Sequence, residues 1–581
     1  MDNNQTLIAQ CEGKAKQWLS PAFDKETRSA VEAMISNEDK TELIESFYKD
    51  LEFGTGGLRG IMGAGSNRMN IYTVGMATQG FANYLKINFR GKKQISVVVC
   101  HDCRNNSRLF AETVANIFSA NGIKVFLFED LRPTPECSFA IRYLKAQAGV
   151  NITASHNPRE YNGYKAYWED GAQVLAPHDK GIIDEVAKVK VEDVKFEGDK
   201  KLIQIIGENI DKPYLDQVKT ISIDPEVIKH QHDLKIVYTP LHGAGCVMIP
   251  RSLALWGFDN VHCVKEQMVK DGNFPTVDRP NPEIAEALTL GLRDAKALDA
   301  DILMASDPDA DRVGMACKNS KGEWVLINGN QTCLIFLWYI ITNRQAVGKM
   351  KPTDFIVKTI VTTEVIRKIA EKQHVEMRDC YTGFKWIARE IALSEGKQQY
   401  IGGGEESYGF LAEDFVRDKD AVSACSLLAE ICAYAKDHGK TLYDILMDIY
   451  LEYGYSHEFT INVERPGKSG ADEIQQMMKN FRSNPPKDLG GSVIDTYKDF
   501  QSLEITKTDG SKKKMDMPDT SNVLQWFCTD GTKVSVRPSG TEPKIKFYLE
   551  IKDTMKSASD FPVCEKRAGE KIEAIKKSLG L

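Results

Sequence analysis

The feature that most constrains this fold is an alternation of apolar strand-like runs with helical stretches, which starts three times along the chain. In the first round, residues 95–100, 124–128 and 149–153 read as strands, with helical spacing at 110–120 and 137–145 between them. The second round has a strand at 234–238, a glycine-bearing turn at 240–245, and helices around 250–255 and 285–295. Its next strand, 301–305, ends at Ser306-Asp307-Pro308. The third starts near Ile327, with an apolar helix at 333–341, a strand at 355–361 and a helix at 364–373. Thr382-Gly383-Phe384-Lys385 follows, and a strand at 399–401 runs into Gly402-Gly403-Gly404-Glu405-Glu406-Ser407. The repeat is one of pattern, not of residues. It predicts α/β domains, with parallel or mixed sheets faced by helices. Each round delivers a polar, glycine-containing loop at a strand's carboxyl end, where open α/β sheets place ligands.

The flanks read differently. Residues 1–50 are helical, with Ala30, Val31, Met34 and Ile35 at helical spacing. Residues 51–65 hold six glycines. They do not form a dinucleotide fingerprint, because Arg59 stands where the third glycine would be and a helix precedes them. They read as a loop that brings one arginine close to an anion, or as a flexible connector. Two helices follow Ala421. Short strands then appear at 458–463, 523–527, 533–536 and 544–551, with a hairpin signal at Asp530-Gly531 and a final helix at 564–579. This is a smaller α+β domain, joined near Gly454. The lysines of 511–514 read as a solvated hairpin. A chain of 581 residues holds roughly four domains, predicted at 1–205, 206–325, 326–453 and 454–581.

Composition removes several function classes. A net charge of −7 gives no global field for nucleic acid or an anionic membrane. The longest dense apolar run, 333–341, is too short to span a bilayer, and the first residues lack a signal-peptide pattern. Thirteen cysteines without framework spacing predict reduced thiols and a cytoplasmic protein. Cys100 and Cys103 form a lone C-x-x-C with no second pair for zinc. Gly439-Lys440-Thr441 and Gly467-Lys468-Ser469 lack the upstream glycine of a P-loop, and no G-x-S-x-G occurs.

Four loops carry chemistry. Thr153-Ala154-Ser155-His156-Asn157-Pro158 ends a strand and presents a serine beside a histidine, with Asn157-Pro158 stopping the strand. A bare hydroxyl is a poor nucleophile and needs a base, a metal or an attached phosphate. Asp307-Pro308-Asp309-Ala310-Asp311-Arg312 sets three carboxylates at alternate positions, an oxygen-only ligand set for a hard cation such as magnesium. An EF-hand is excluded, since Arg312 and Lys318 replace its glycine and glutamate. Arg312 can hold a phosphate bidentately. Glu405 and Ser407 follow three glycines and can bond sugar hydroxyls or simply start a helix. Arg537-Pro538-Ser539-Gly540-Thr541-Glu542-Pro543 offers an arginine, two hydroxyls and a glycine to an anion, with prolines bracketing the turn.

In this order the four loops resemble the α-D-phosphohexomutase superfamily over nearly the whole chain. The match is to its phosphoserine, D-x-D-x-D-R magnesium, sugar and phosphate loops. The resemblance implies four domains around a central cleft and a phosphoserine that donates its phosphate to a hexose monophosphate. It implies Ser155 as nucleophile, and Asp307, Asp309 and Asp311 with a phosphate oxygen of Ser155 as Mg2+ ligands. His156 and Lys165 are similar to the family's proton-transfer candidates, and Arg59 and Arg312 to the groups that neutralise the moving phosphate. Glu405, Ser407, Lys385 and His242 would lie near the sugar, while Arg537, Ser539, Gly540 and Thr541 would grip the far phosphate. Implied partners are small sugar phosphates, with glucose 1,6-bisphosphate as primer, on a monomer or homodimer. Gly404-Glu405-Glu406-Ser407-Tyr408-Gly409 and Phe53-Gly54-Thr55-Gly56-Gly57-Leu58-Arg59-Gly60 resemble the phosphoglucomutase and phosphopentomutase branch. The implied reaction is the interconversion of glucose 1-phosphate and glucose 6-phosphate, with mannose and pentose phosphates as alternatives.

Overall fold

A computed structural model describes residues 3–54, 56–465, 467–539 and 544–581. Three helices, Asn3–Gln17, Lys25–Ser36 and Thr41–Phe47, open the chain as expected. They close on Trp18, Phe23 and Phe47 and dock on Tyr72 of the helix Ile71–Asn88, whose hydroxyl donates to Asp24.

The first sheet contains β1 (Gly57–Ile61), β2 (Ser96–His101), β3 (Lys124–Phe128), β4 (Ala148–Ile152), β5 (Tyr161–Trp168) and β6 (Ile203–Ile206), in the order β1-β5-β4-β2-β3-β6. The core strands are parallel, and β5 runs antiparallel between β4 and β1. The glycine-rich segment is therefore an edge strand at its centre, which corrects its reading as a loop or connector. Glycine is what lets it pair so closely. A Cβ on Gly57, at φ 132°, would sit 1.6 Å from the carbonyl oxygen of Tyr164.

The second sheet contains β7 (Ile236–Thr239), β8 (Val261–Cys263), β9 (Ile302–Ser306), β10 (Val313–Lys318) and β11 (Trp324–Ile327), ordered β11-β10-β9-β7-β8. The third contains β12 (Asp354–Thr359), β13 (Glu376–Cys380), β14 (Gln399–Gly404) and β15 (Phe410–Leu411), ordered β13-β12-β14-β15. The predicted class holds: three α/β units with mixed sheets precede a β-rich fourth. β4, β9 and β14 each end in a polar loop. The helix Ala421–Asp437, buried almost all round, joins the three units through one continuous apolar core.

The last unit is antiparallel, with β16 (Tyr455–Glu464), β17 (Asp488–Leu489), β18 (Ser492–Asp499), β19 (Glu504–Lys507), β20 (Lys512–Lys514), β21 (Leu524–Cys528), β22 (Lys533–Pro538) and β23 (Lys544–Asp553). Its order is β16-β23-β22-β21-β18-β19-β20, with β17 on β18. The helices Gly467–Ser483 and Phe561–Leu579 pack on it. It meets the third unit through buried charges. Lys533 Nζ lies 2.9 Å from Glu364 and 3.0 Å from Glu550, and Lys358 lies 3.0 Å from Glu364. Burial pushes the Cys100 and Cys103 thiols well up, which leaves no ready thiolate for redox chemistry.

Candidate functional site

Ser155 follows β4 by three residues and takes a left-handed φ of 50°. A non-glycine residue there is held against its preference. Two features hold it. The Ser155 amide donates to Thr153 Oγ1 at 2.9 Å. Arg104, buried and paired with Asp102 at 3.3 Å, donates to four carbonyl oxygens of the loop, those of Ser155, Asn157, Pro158 and Tyr161. Arg104 carries no sequence signal, because its role depends on a loop fifty residues away.

The Ser155 hydroxyl donates to Asp307 Oδ2 at 2.7 Å, and His156 Nδ1 lies 3.1 Å from Ser155 Oγ. Burial, then the nearby Arg312 and Arg59, push His156 well below the usual histidine range.

The three aspartates follow β9. Their carboxylate oxygens come within 4.8 Å of one another, all buried. Burial, then Asp309 and Asp311, push the Asp307 carboxyl well up. Burial opposes ionisation of Asp311 too, but Lys165, Lys419 and Arg312 hold it well below the carboxylate range. Asp309 Oδ1 and Asp311 Oδ1 are buried with no hydrogen-bond partner. Orphaned oxygens of this kind carry a desolvation cost that a bound cation removes. The donor set fits a magnesium-like ion.

Lys165, on β5, lies 2.6 Å from Asp309 Oδ2 and 2.8 Å from Asp311 Oδ2. Burial alone would lower it, yet the two aspartates hold its ammonium well above the usual lysine range. Its ammonium bridges two of the three aspartates. Lys419, which sequence reading missed, lies 3.1 Å from Asp311. Arg312 pairs with Glu283 at 2.5 Å. Arg59, on β1, is exposed and donates to Asn157 Oδ1 at 3.2 Å.

A cavity of about 440 Å³ opens from Ser155. Arg59, Lys165, Arg312, Lys385, Lys419 and Arg537 line it, with Asp311 the one acid among its lining residues. Cations from all four units thus surround one space, which suits a multiply charged anion. Glu405 lies behind it and accepts from the Gly383 amide at 2.9 Å. Burial raises Glu405 to about 7, although Lys419 pulls it the other way. The sugar loop is fixed to the metal loop, since the Val313 amide donates to the Tyr408 carbonyl at 3.1 Å.

Several predicted residues lie elsewhere. His242 is buried in the second unit, with Nδ1 2.8 Å from the Val269 carbonyl and Nε2 2.8 Å from Thr276 Oγ1. Both nitrogens are used, so its expected place near the sugar is corrected to a structural one. Ser407 and Ser539 are close in sequence to the site but do not line the cavity. Gly540 and Thr541 lie outside the described residues.

The chain is similar to known proteins over most of its length. Family models for phosphoglucomutase/phosphomannomutase alpha/beta/alpha domains I, II and III match residues 50–193, 212–322 and 328–453. A phosphoglucomutase of Staphylococcus aureus (strain MSSA476) is 35% identical over 92% of this chain and 95% of its own length. One of Staphylococcus haemolyticus (strain JCSC1435) is 33% identical over 90% of this chain and 94% of its own length. Among solved structures, the Paramecium phosphoglucomutase pp63/parafusin, in an open form, has a TM-score of 0.66 at 18% identity, covering 92% of this chain and 96% of its own. A family member from Burkholderia thailandensis has a TM-score of 0.63 at 17% identity, covering 90% and 97%. At these identities the structural likeness speaks for the fold.

Proposed function

Because this chain belongs to the phosphoglucomutase/phosphomannomutase family, we propose that it interconverts α-D-glucose 1-phosphate and glucose 6-phosphate. The route runs through a phosphoserine at Ser155 and a glucose 1,6-bisphosphate intermediate, the same compound serving as primer. One observation carries the reading: the Ser155 hydroxyl sits 2.7 Å from a buried aspartate trio at the foot of a cation-lined cavity.

Asp307, Asp309 and Asp311 would hold Mg2+ together with a phosphate oxygen on Ser155. Bound there, the ion polarises the phosphoryl group and stabilises its developing charge. The rest falls to side chains. The attacking sugar oxygen forms a bond to phosphorus as the P–Oγ bond of Ser155 breaks, and the proton that the sugar hydroxyl gives up is balanced by one taken up on Oγ. Arg59, Arg312, Lys165 and Lys419 offset the charge of the moving group, as phosphoryl transfer requires. In the return step His156, 3.1 Å from Oγ, takes the serine proton as Oγ bonds to the other phosphorus, and the departing sugar oxygen takes up a proton. Lys165, 2.6 Å from Asp309 and 2.8 Å from Asp311, is the second proton-transfer candidate. Glu405 accepts from sugar hydroxyls, and Arg537 holds the phosphate that does not react.

No helix among the described residues is long and apolar enough to cross a membrane. Intact-mass analysis tests the nucleophile. Fresh protein should contain a fraction one phosphate heavier, absent from Ser155→Ala, and undiminished activity of that variant would refute the assignment. Rates on the 1-phosphates of glucose, mannose and ribose, measured side by side, test the sugar. Glucose should win.

A further inference from the structure

The cavity has a wall that neither the four motifs nor the proposed mechanism uses. It is the segment between β20 and β21. Thr520 and Ser521 line the cavity beside Lys385, Trp386 and Arg537. We propose that Thr520 and Ser521 form a second strand-end loop of the phosphate cradle, donating hydroxyl hydrogen bonds to the non-reacting phosphate of the sugar. This rests on the mutase reading and extends it.

Sheet register supports the placement. β21 pairs with β22 antiparallel, with Leu524 opposite Val536. Continuing that register sets residue 523 opposite Arg537 and residue 521 opposite Ser539. The two segments therefore leave neighbouring strands side by side, at the same end of the sheet. One of them carries Arg537 to the cavity wall and the other carries Thr520 and Ser521.

The loop is held in place. The Tyr381 hydroxyl donates to the Asp519 carbonyl, and Arg389 Nη1 lies 3.5 Å from Asp519 Oδ2. Tyr381 and Phe500 meet edge to face at 5.8 Å, and the Ser521 amide donates to the Phe500 carbonyl at 3.0 Å. The loop is thus anchored at once to its own sheet and to the third unit, beside the start of the helix Phe384–Ser394. Phe384, Lys385 and Trp386, at the start of that helix, line the same wall. Neither the Thr520 nor the Ser521 hydroxyl bonds another described residue. Both are polar groups beside an anion site with donors to spare.

A cradle built this way spans two units, with Lys385 and the helix start from the third, and Arg537, Thr520 and Ser521 from the fourth. A phosphate bound in it would bridge them.

The test uses full-length protein with Mg2+ and glucose 1,6-bisphosphate. The variants are Thr520→Val, Ser521→Ala, the double, and Thr520→Ser as the conservative control. Loss of ground-state phosphate contacts predicts a KM for glucose 1-phosphate at least 5-fold higher in the double variant, with kcat within 3-fold of the parent. Thr520→Ser should keep the parental KM. Inorganic phosphate, as a competitive inhibitor, should weaken by a similar factor. A double variant with KM and phosphate inhibition within 2-fold of the parent overturns the proposal, as does a fall in kcat alone. If the parent turns over no glucose 1-phosphate, the mutase reading fails. Calorimetric binding of inorganic phosphate then still decides the cradle, by its loss or retention in the double variant.

Discussion

Replacing Glu405 by glutamine gives a sharp test of the site's electrostatics. An ordinary glutamate titrates near about 4.3. Burial carries Glu405 to about 7, with Glu406 adding to the rise and Lys419 and Arg312 opposing it. The folded protein therefore binds this proton more tightly than the unfolded chain does. For a raised carboxyl, stability is fullest below the unfolded value, declines as pH climbs toward 7, and levels off above it. The raised value costs about 1 kcal/mol of stability at pH 5 and about 3.5 kcal/mol at pH 8. Glutamine keeps an oxygen for the Gly383 amide, now 2.9 Å from the carboxylate, and never ionises. Glu405→Gln should accordingly be more stable than the parent, with an advantage that widens by about 2.5 kcal/mol between pH 5 and pH 8. For a cooperative unit of domain size this is ~5–10 °C in Tm. Thermal unfolding of both proteins across that pH range, without metal or substrate, reads the difference directly. The same substitution should raise KM for glucose 1-phosphate, because a carboxylate accepts sugar hydroxyls more strongly than an amide does. A Tm difference that stays flat with pH, or a variant less stable at pH 8, would refute the argument that an ionised Glu405 is kept for function at a cost in stability.

Arg104→Lys should lower kcat about 10-fold or more while substrate binding changes little. One ammonium cannot reach the four carbonyls that fix Ser155, and charged hydrogen bonds contribute about 1.5–3 kcal/mol each; an unchanged kcat would remove Arg104 from the positioning role. Mg2+ should raise the Tm of metal-free protein, by about 2.7 kcal/mol of stabilisation at a hundredfold excess over its Kd, and Asp309→Asn should abolish the shift. A rise of equal size in that variant would place the ion elsewhere. Lys533→Met should cost about 3–5 kcal/mol, because it leaves Glu364 and Glu550 buried without their shared cation; thermal unfolding within 1 °C of the parent would show that the interface does not depend on the pair. The fourth unit should close on ligand about Gly454, at φ 98° between the helix Leu442–Tyr453 and β16. Solution scattering with and without glucose 1,6-bisphosphate should differ, and superposable curves would exclude a large closure.

What could be read from the sequence was whatever lies contiguously at a strand end. Ser155 and the three aspartates sit in unbroken polar runs directly after β4 and β9, so the side chains and the strand that aims them share one short window. Lys419, Arg104, Thr520 and Ser521 have no such window. Each is a single residue whose role is set by a partner 51 or 108 positions away, or by sheet register, and neither separation leaves a local pattern. The antiparallel strand β5 is the most instructive omission. Seven of its eight residues are buried. It therefore lacks the in–out alternation that marks a half-exposed strand, and it also lacks the unbroken apolar run of a buried one. What interrupts that run is Asn162, Gly163 and Lys165. Gly163 packs where a Cβ would stand 2.5 Å from the Thr153 carbonyl oxygen, and Asn162 donates to the Asn105 carbonyl and to Ser107 at 3.0 Å. Lys165 reaches two of the aspartates. A buried ammonium is tolerated only when its charge is matched, so a lysine in the interior of a central strand requires a nearby anionic site. The residues that disguised β5 as a non-strand are the ones that tie the serine loop to the aspartate loop. Local rules of strand composition give way here because the strand's interior face is the back wall of the candidate site.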